Sequence, residues 1–123
     1  MKQDVAEARR LHAALKHICA QHTGGAPDFR ALSRVLKLCQ AAREAVDDAY
    51  CHEKLRVVGE YAGEMLSRGD HSRWGRDAIS GLEFLRLQVL NALDLFASRL
   101  YSVELRSFRG QVPWLTRSGI AQI

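Results

Sequence analysis

Cysteine and histidine, which bind transition metals, occur as two close pairs in this sequence. Cys19 and His22 are three residues apart and would share one face of a helix, whereas Cys51 and His52 are adjacent. Tetrahedral zinc needs four convergent ligands, and adjacent side chains on a helix point about 100° apart. The Glu-x-x-His motif of di-iron bundles does not occur in the chain. We therefore predict neither a metal nor another cofactor, with these thiols buried and these imidazoles at the surface.

Two further groups of residues have the composition of a catalytic site. Asp70, His71 and Ser72 are consecutive, but nucleophilic catalysis needs a base within hydrogen-bonding reach of the nucleophile. Asp or Ser before a helix is an ordinary N-cap. Glu60 and Glu64 would share a helix face as paired carboxylates, although a solvated acidic face is the simpler interpretation. No glycine-rich phosphate loop is present, and we predict that the protein is not an enzyme.

Arginine residues are concentrated in two stretches of the chain, whose net charge is +4. We predict a basic pole from cations at the start of the second helix and the end of the third: Arg30, Arg34, Lys37, Arg99, Arg106 and Arg109. The two ends would be neighbours in an antiparallel hairpin. Because the guanidinium fork binds phosphate and carboxylate bidentately, the basic pole is a hypothetical site for nucleic acid or for an acidic protein partner. The alternative is that these cations only keep the surface soluble.

The helix that organises the chain is predicted over about residues 73–109, and it is apolar on two sides. Its main seam, at spacings of three and four, is Leu82, Leu85, Val89, Leu93, Phe96, Leu100 and Val103. A second seam lies on the opposite side and is half apolar: Phe84, Leu87, Asn91, Leu95, Ser98, Ser102 and Leu105. A surface helix needs only one apolar stripe. The second seam therefore predicts contact with another helix or subunit, and Asn91 could fix its register.

Two more helices are predicted before this one. The first covers about residues 4–22, with the buried stripe Ala8, Leu11, Leu15 and Ile18. The second covers about residues 27–68, with the stripe Phe29, Leu32, Leu36, Cys39, Val46 and Tyr50, followed by Leu55, Val58, Ala62, Met65 and Leu66. The change of stripe leaves open whether this helix is continuous or broken between Asp47 and Glu53. Asp70 or Ser72 is predicted to cap the third helix.

The predicted architecture is one all-α domain over residues 1–123. An antiparallel bundle is built on a long hairpin, residues 27–68 and 73–109, with the first helix against it and a partly packed or disordered tail over residues 110–123. Three helices would leave the second seam uncovered, which predicts a homodimer. The three cysteines do not form a disulfide framework, and the polar N-terminus is not a secretory signal. We expect a cytoplasmic protein that does not enter a membrane.

The predicted function is that of a non-enzymatic helical interaction protein. It would act as a small adaptor, chaperone-like factor or regulator that self-associates through the second seam and presents helical surfaces to a partner. The alternative is a nucleic-acid-binding accessory protein that uses the basic pole. Either function would depend on a surface of the protein and not on a catalytic centre. The arrangement of the helices determines whether the second seam and the basic pole are exposed.

Overall fold

The computed structural model of the chain describes the backbone of residues 3–111 and the side chains of residues 3–107. Over that range every regular element is helical: α1 is Val5–Gln21, α2 is Phe29–Ala45, α3 is Ala49–Ser67 and α4 is Ala78–Gln111, with a 3-10 turn at Ser72–Trp74. The prediction of an all-α chain is therefore confirmed. α4 continues past its predicted end, and the rest of the predicted tail, residues 112–123, lies outside the described residues.

An aspartate begins each of the four helices. Its carboxylate accepts a hydrogen bond of 2.8–3.1 Å from the N–H three residues on, in the pairs Asp4 with Glu7, Asp28 with Ala31, Asp48 with Cys51 and Asp77 with Ser80. Aspartate suits this position because it satisfies a free amide and its charge is favourable at the positive end of the helix dipole. The prediction that Asp70 or Ser72 caps the last helix is wrong, because Asp77 caps it; Ser72 begins the 3-10 turn, and Asp70 accepts a hydrogen bond from the Ser72 N–H.

The predicted second helix, residues 27–68, is two helices separated by residues 46–48. α2 ends at Ala45, Val46 adopts an extended backbone, and Asp48 caps α3. Consecutive aspartates are poor residues for a helix interior and good ones for a helix start. The Ala45 carbonyl, which has no partner inside α2, accepts a 2.7 Å hydrogen bond from the Asp4 N–H. The question that the sequence left open is therefore answered: the chain is broken at residues 46–48, and the predicted count of three helices becomes four.

Consecutive helices pack side by side, and α4 packs against α1 to close the ring. The "His71 end" of the molecule holds the connections 22–28 and 68–77, where the Asp28 N–H donates to the Leu66 carbonyl at the end of α3. The "Asp48 end" holds the start of α1, the link 46–48 and α4 from residue 99 onward, where Arg9 bonds Glu104. Neighbouring helices are therefore antiparallel, as in a four-helix bundle with short connections.

The core is lined by the main seam of α4, as predicted. All seven of its side chains are buried, from Leu82 through Phe96 to Val103. The predicted stripe of α1 and the second part of the long stripe, which lies in α3, are buried as well. Burying one such side chain contributes about 1.5–3 kcal/mol. The main seam is thus a large part of what holds the four helices together.

The predicted early stripe of the second helix is half right. Cys39 and Val46 are buried and Leu32 packs against the core, but Phe29 is mostly exposed, Leu36 is half-exposed and Tyr50, at the start of α3, is 40% exposed. The residues of α2 that face the core are Val35, Cys39 and Ala42, with Ala45 at its end. The predicted stripe assumes one helix running through residue 50. Because the chain breaks after residue 45, α2 adopts its own rotation and turns its smaller side chains toward α1 and α3.

The carboxylate of Asp48 is buried at the junction of α2, α3 and α4. It accepts two hydrogen bonds of 3.0 Å from Arg99 and one of 2.8 Å from Arg106, besides the one from the Cys51 N–H. The pKa of Asp48 is held well below its usual range, chiefly by its hydrogen bonds from Arg99. Burial and the neighbouring Asp48 raise the pKa of Cys51 to about 12, so this thiol is inert at neutral pH. The cluster ties the interrupted helix to α4.

We predict that Asp48→Asn destabilises the protein by about 1–3 kcal/mol near neutral pH, because asparagine still caps α3 but lacks the charge that holds two guanidinium groups. The pKa of Asp48 is lowered on folding, so its contribution is complete above the unfolded value, near 3.8, and is lost as the pH falls through the folded value. Urea unfolding should therefore separate variant and wild type at about pH 7 and bring them together toward about pH 2.

The matched control is Asp94→Asn, an exposed carboxylate 3.7 Å from the Lys16 ammonium, which should change the free energy of unfolding by less than about 0.5 kcal/mol. If Asp48→Asn were as stable as the wild type at neutral pH, or equally destabilised at both pH values, the charge of Asp48 would not be what ties the junction to α4.

Candidate functional site

The second seam lies on the side of α4 that faces away from the core. Phe84, Leu87 and Leu105 are 41%, 62% and 38% exposed, while Leu95 is half-buried and Asn91 is exposed. We call these five residues the α4 face. The opposite side of the same helix carries the buried main seam, so α4 has an apolar side inside the molecule and another at its surface. Contact of the α4 face with a second subunit stays a prediction.

The residues that surround the α4 face are mostly small or polar. Ser98 and Ser102 are exposed and lie between Asn91 and Leu105 along the helix, and exposed Tyr101 borders them. Asp94 lies at the edge, with its carboxylate near Lys16 of α1. A strip of large apolar side chains with small residues between them and charges along its border has the composition of a helix-contacting surface.

The predicted basic pole is divided between the two ends of the molecule. Arg30, Arg34 and Lys37 lie at the His71 end, where α2 begins, whereas Arg99 and Arg106 bind Asp48 at the other end. The side chain of Arg109 lies outside the described residues. The prediction of one pole is wrong because α3, and not the start of α2, runs beside the last part of α4. Along α2, Arg30 lies about 22 Å and Lys37 about 12 Å from the helix end at Ala45.

The two groups of cations also differ in their partners. Arg99 and Arg106 neutralise a buried carboxylate and have a structural role. Arg30, Arg34 and Lys37 are exposed, and none of them forms a salt bridge with an acidic side chain of residues 3–107. Of the predicted basic pole, the cations at the start of α2, which we call the α2 cations, are those whose charge is available for a partner.

A cleft of about 310 Å³ lies beside the α2 cations, between the last turns of α1 and the first turns of α2. Its polar lining residues are His17, Gln21, His22, Thr23, Asp28 and Arg34, with Ile18 and Ala31 as the apolar part. We call it the α1–α2 cleft. The sequence analysis singled out several of these residues, but the cleft exists only because the turn at residues 22–28 brings the two helix ends together.

His71 is buried and fills the end of the bundle. Its Nε2 donates to the Met65 carbonyl at 2.7 Å, and the ring of His22 approaches it edge-on with 6.3 Å between the ring centroids. A Cβ on Gly81 would lie 1.6 Å from the His71 carbonyl oxygen, so only glycine fits there. His71 is therefore a structural residue that joins the end of α3 to the start of α4.

Arg86 caps the end of α1, a role that the sequence analysis missed. Its guanidinium group donates to the carbonyls of Cys19, Ala20 and His22 at 2.6–3.1 Å. These carbonyls have no acceptor role inside α1, and a cation at the negative end of a helix is favourable. The sequence carries no signal for this contact, because it depends on α1 and α4 being neighbours.

The residues that the sequence offers for catalysis are not arranged as a catalytic site. Ser72 donates its hydroxyl to Asp70 at 3.1 Å, while the His71 ring points to Met65. The predicted pair of carboxylates is engaged by arginines, Glu60 by Arg56 and Glu64 by Arg68.

The metal-ligand candidates are also apart. Cys19 and Cys51 are buried, and His52 contacts the Val46 carbonyl at 2.7 Å. Within the described part of the chain, no three metal-binding side chains come close enough to hold an ion. The surfaces of α4 and α2 are therefore the candidate sites that remain.

Comparison with known protein families, with curated protein sequences and with solved structures finds no match for this chain. Over residues 3–111, no helix combines the length and the apolar character needed to cross a bilayer.

The His71 end generates a prediction on pH. Burial, the neighbouring His71 and Arg86 lower the pKa of His22 against the opposing effect of Asp28. Below the ordinary value of 6.5 the unfolded chain binds a proton that the folded chain resists, so stability should fall as the pH decreases from neutrality through the lowered pKa. We predict that His22→Gln makes this fall shallower in urea unfolding at a series of pH values.

His17→Gln, which changes an exposed imidazole five residues earlier on α1, serves as the control and should leave the pH dependence as in the wild type. An unchanged slope in the His22 variant would mean that another group, such as half-buried His12, whose pKa is also lowered by burial, causes the acid sensitivity.

Proposed function

We propose that the protein is a non-enzymatic helical interaction protein that self-associates through the α4 face. The observation that carries the proposal is the exposure of Phe84, Leu87 and Leu105 on a helix whose opposite side already fills the core. Covering a large apolar side chain contributes up to about 1.5–3 kcal/mol, so these residues stabilise an assembly more than they stabilise the single chain. The protein would serve as a small adaptor, chaperone-like or regulatory factor.

The residues between the large side chains support helix-to-helix contact. Ser98 and Ser102 are small and exposed, which allows a second helix to approach closely, and Asn91 can hydrogen-bond across a contact and fix its register. We infer a homodimer, since the same surface is then covered on both copies. A cytoplasmic location is part of this proposal, and the three buried, unpaired cysteines are compatible with it.

We predict that Leu87→Asp combined with Leu105→Asp weakens self-association by about 100-fold or more, because each copy then places two charges against an apolar surface. Sedimentation equilibrium over micromolar concentrations measures the change. Both side chains lie away from the core, so helical content by circular dichroism should be retained.

Leu36→Asp is the matched control, since it makes the same change at a half-exposed leucine on α2 and should leave the association constant within about threefold of the wild type. A wild-type protein that remains monomeric, or a double variant that associates as well as the wild type, would refute self-association through the α4 face.

A second candidate function is nucleic-acid binding through the α2 cations. The observation that favours it is that Arg30, Arg34 and Lys37 are exposed and unpaired within the described residues, so their charges can replace counterions along a phosphate backbone. Aromatic residues do not alternate with these cations, so contact with the backbone is more plausible than stacking of bases.

For this candidate we predict that affinity for a DNA or RNA oligonucleotide falls steeply with salt and that Arg30→Ala combined with Lys37→Ala lowers it by at least about tenfold. Gel retardation and fluorescence anisotropy at several salt concentrations measure both effects. Arg106→Ala is the control, because Arg106 belongs to the predicted basic pole but binds Asp48 at the Asp48 end of the molecule. No retardation at low salt, or equal losses in the two variants, would refute the candidate.

A further inference from the structure

We propose that the α1–α2 cleft binds a phosphate group. Its volume of about 310 Å³ is at the lower limit of ligand pockets, which range over about 300–1,000 Å³. It therefore suits a small ligand or one group of a larger one. None of its lining residues belongs to α4, so this inference does not depend on self-association.

The charge of the lining favours an anion. Arg34 contributes a permanent positive charge and a bidentate fork, and His17 contributes an exposed imidazole. Arg30 and Lys37, on the same helix, add to the positive potential. The acidic lining residue is Asp28, whose carboxylate accepts from the Ala31 N–H and is compensated by the positive end of the α2 dipole.

An unused hydrogen-bonding atom points to the same chemistry. The Nε2 atom of His22 is buried and has no partner within the described part of the chain. A buried ring nitrogen without a partner costs free energy, and His22 is one of the residues that line the cleft. Thr23 and Gln21 add a hydroxyl and an amide as neutral donors. The cleft thus combines a guanidinium group, two imidazoles and neutral donors.

A second cleft of comparable size differs from the α1–α2 cleft in its charge. It has about 280 Å³ at the Asp48 end and is lined by Gln3, Asp47, Val103, Arg106 and Ser107. Its guanidinium group is committed to Asp48, and Asp47 adds an exposed carboxylate. The positive charge is therefore compensated there, whereas that of Arg34 is not.

Two sources could supply the phosphate group: a small phosphate monoester, or the backbone of a nucleic-acid strand. The phosphate group of a monoester carries a higher charge than a backbone phosphodiester, and a monoester can enter the cleft from solvent. A nucleic-acid strand would also contact Arg30 and Lys37, which lie outside the cleft. A nucleic acid could bind those two cations without entering the cleft, so this inference and the second candidate function can fail separately.

The experiment titrates the full chain with inorganic phosphate, with glycerol phosphate and with a ten-residue oligonucleotide at constant ionic strength, and follows backbone amide shifts by NMR. Phosphate should shift the amides of residues 17–34. Arg34→Ala should weaken binding by about tenfold or more, and His17→Ala by less. Lys37→Ala, a matched exposed cation that does not line the cleft, should change it by less than about twofold.

The outcomes separate the alternatives. Saturable shifts with the monoester that depend on Arg34 assign the cleft to a small ligand, and tighter, Arg34-dependent binding of the oligonucleotide assigns it to a strand. Either result supports the site. An absence of shifts up to about 50 mM phosphate, shifts spread over all basic residues, or equal effects of Arg34→Ala and Lys37→Ala would overturn it.

Discussion

A buried carboxylate must be satisfied by donors, and in this protein that requirement at Asp48 decides the course of the chain. The Asp48 side chain begins α3 and is held by Arg99 and Arg106 from α4. If the chain continued as one helix through residues 46–48, the carboxylate could not both cap a helix start and meet these guanidinium groups. Four helices of moderate length therefore replace a hairpin with one very long arm, and α4 obtains two neighbours, α1 and α3, for its main seam.

The same interaction decides which charges are available at the surface. Of the cations that the sequence places in a single pole, Arg99 and Arg106 are used inside the molecule, and the α2 cations are not. Arg86 is likewise committed, to the carbonyls at the end of α1. A count of basic residues thus overestimates the charge offered to a partner, and the position of the remaining charge can be read only after the internal pairs are known.

The parts of the fold that were predictable from the sequence are those set by local periodicity. The main seam of α4 and the stripe of α1 repeat at three and four residues over several turns, and all of their members are buried. The second seam followed from the same periodicity and lies at the surface of α4. The change of stripe raised the question of a break between Asp47 and Glu53 but could not decide it, because Asp48 acts through Arg99, fifty-one positions away in sequence. The rotation of α2 and the position of the basic pole could not be predicted either, because both depend on that break.

The α4 face and the α2 cations lie on opposite sides of the ring of helices. α2 and α4 each pack mainly against α1 and α3, so the outer side of α2 is turned away from the α4 face. A homodimer formed through α4 would therefore bury Phe84, Leu87 and Leu105 and leave both copies of the α2 cations and of the α1–α2 cleft open to solvent. Self-association and anion binding do not compete for residues. In such a dimer two basic surfaces would face outward on opposite sides, an arrangement that suits a protein joining two anionic partners or two sites on one of them.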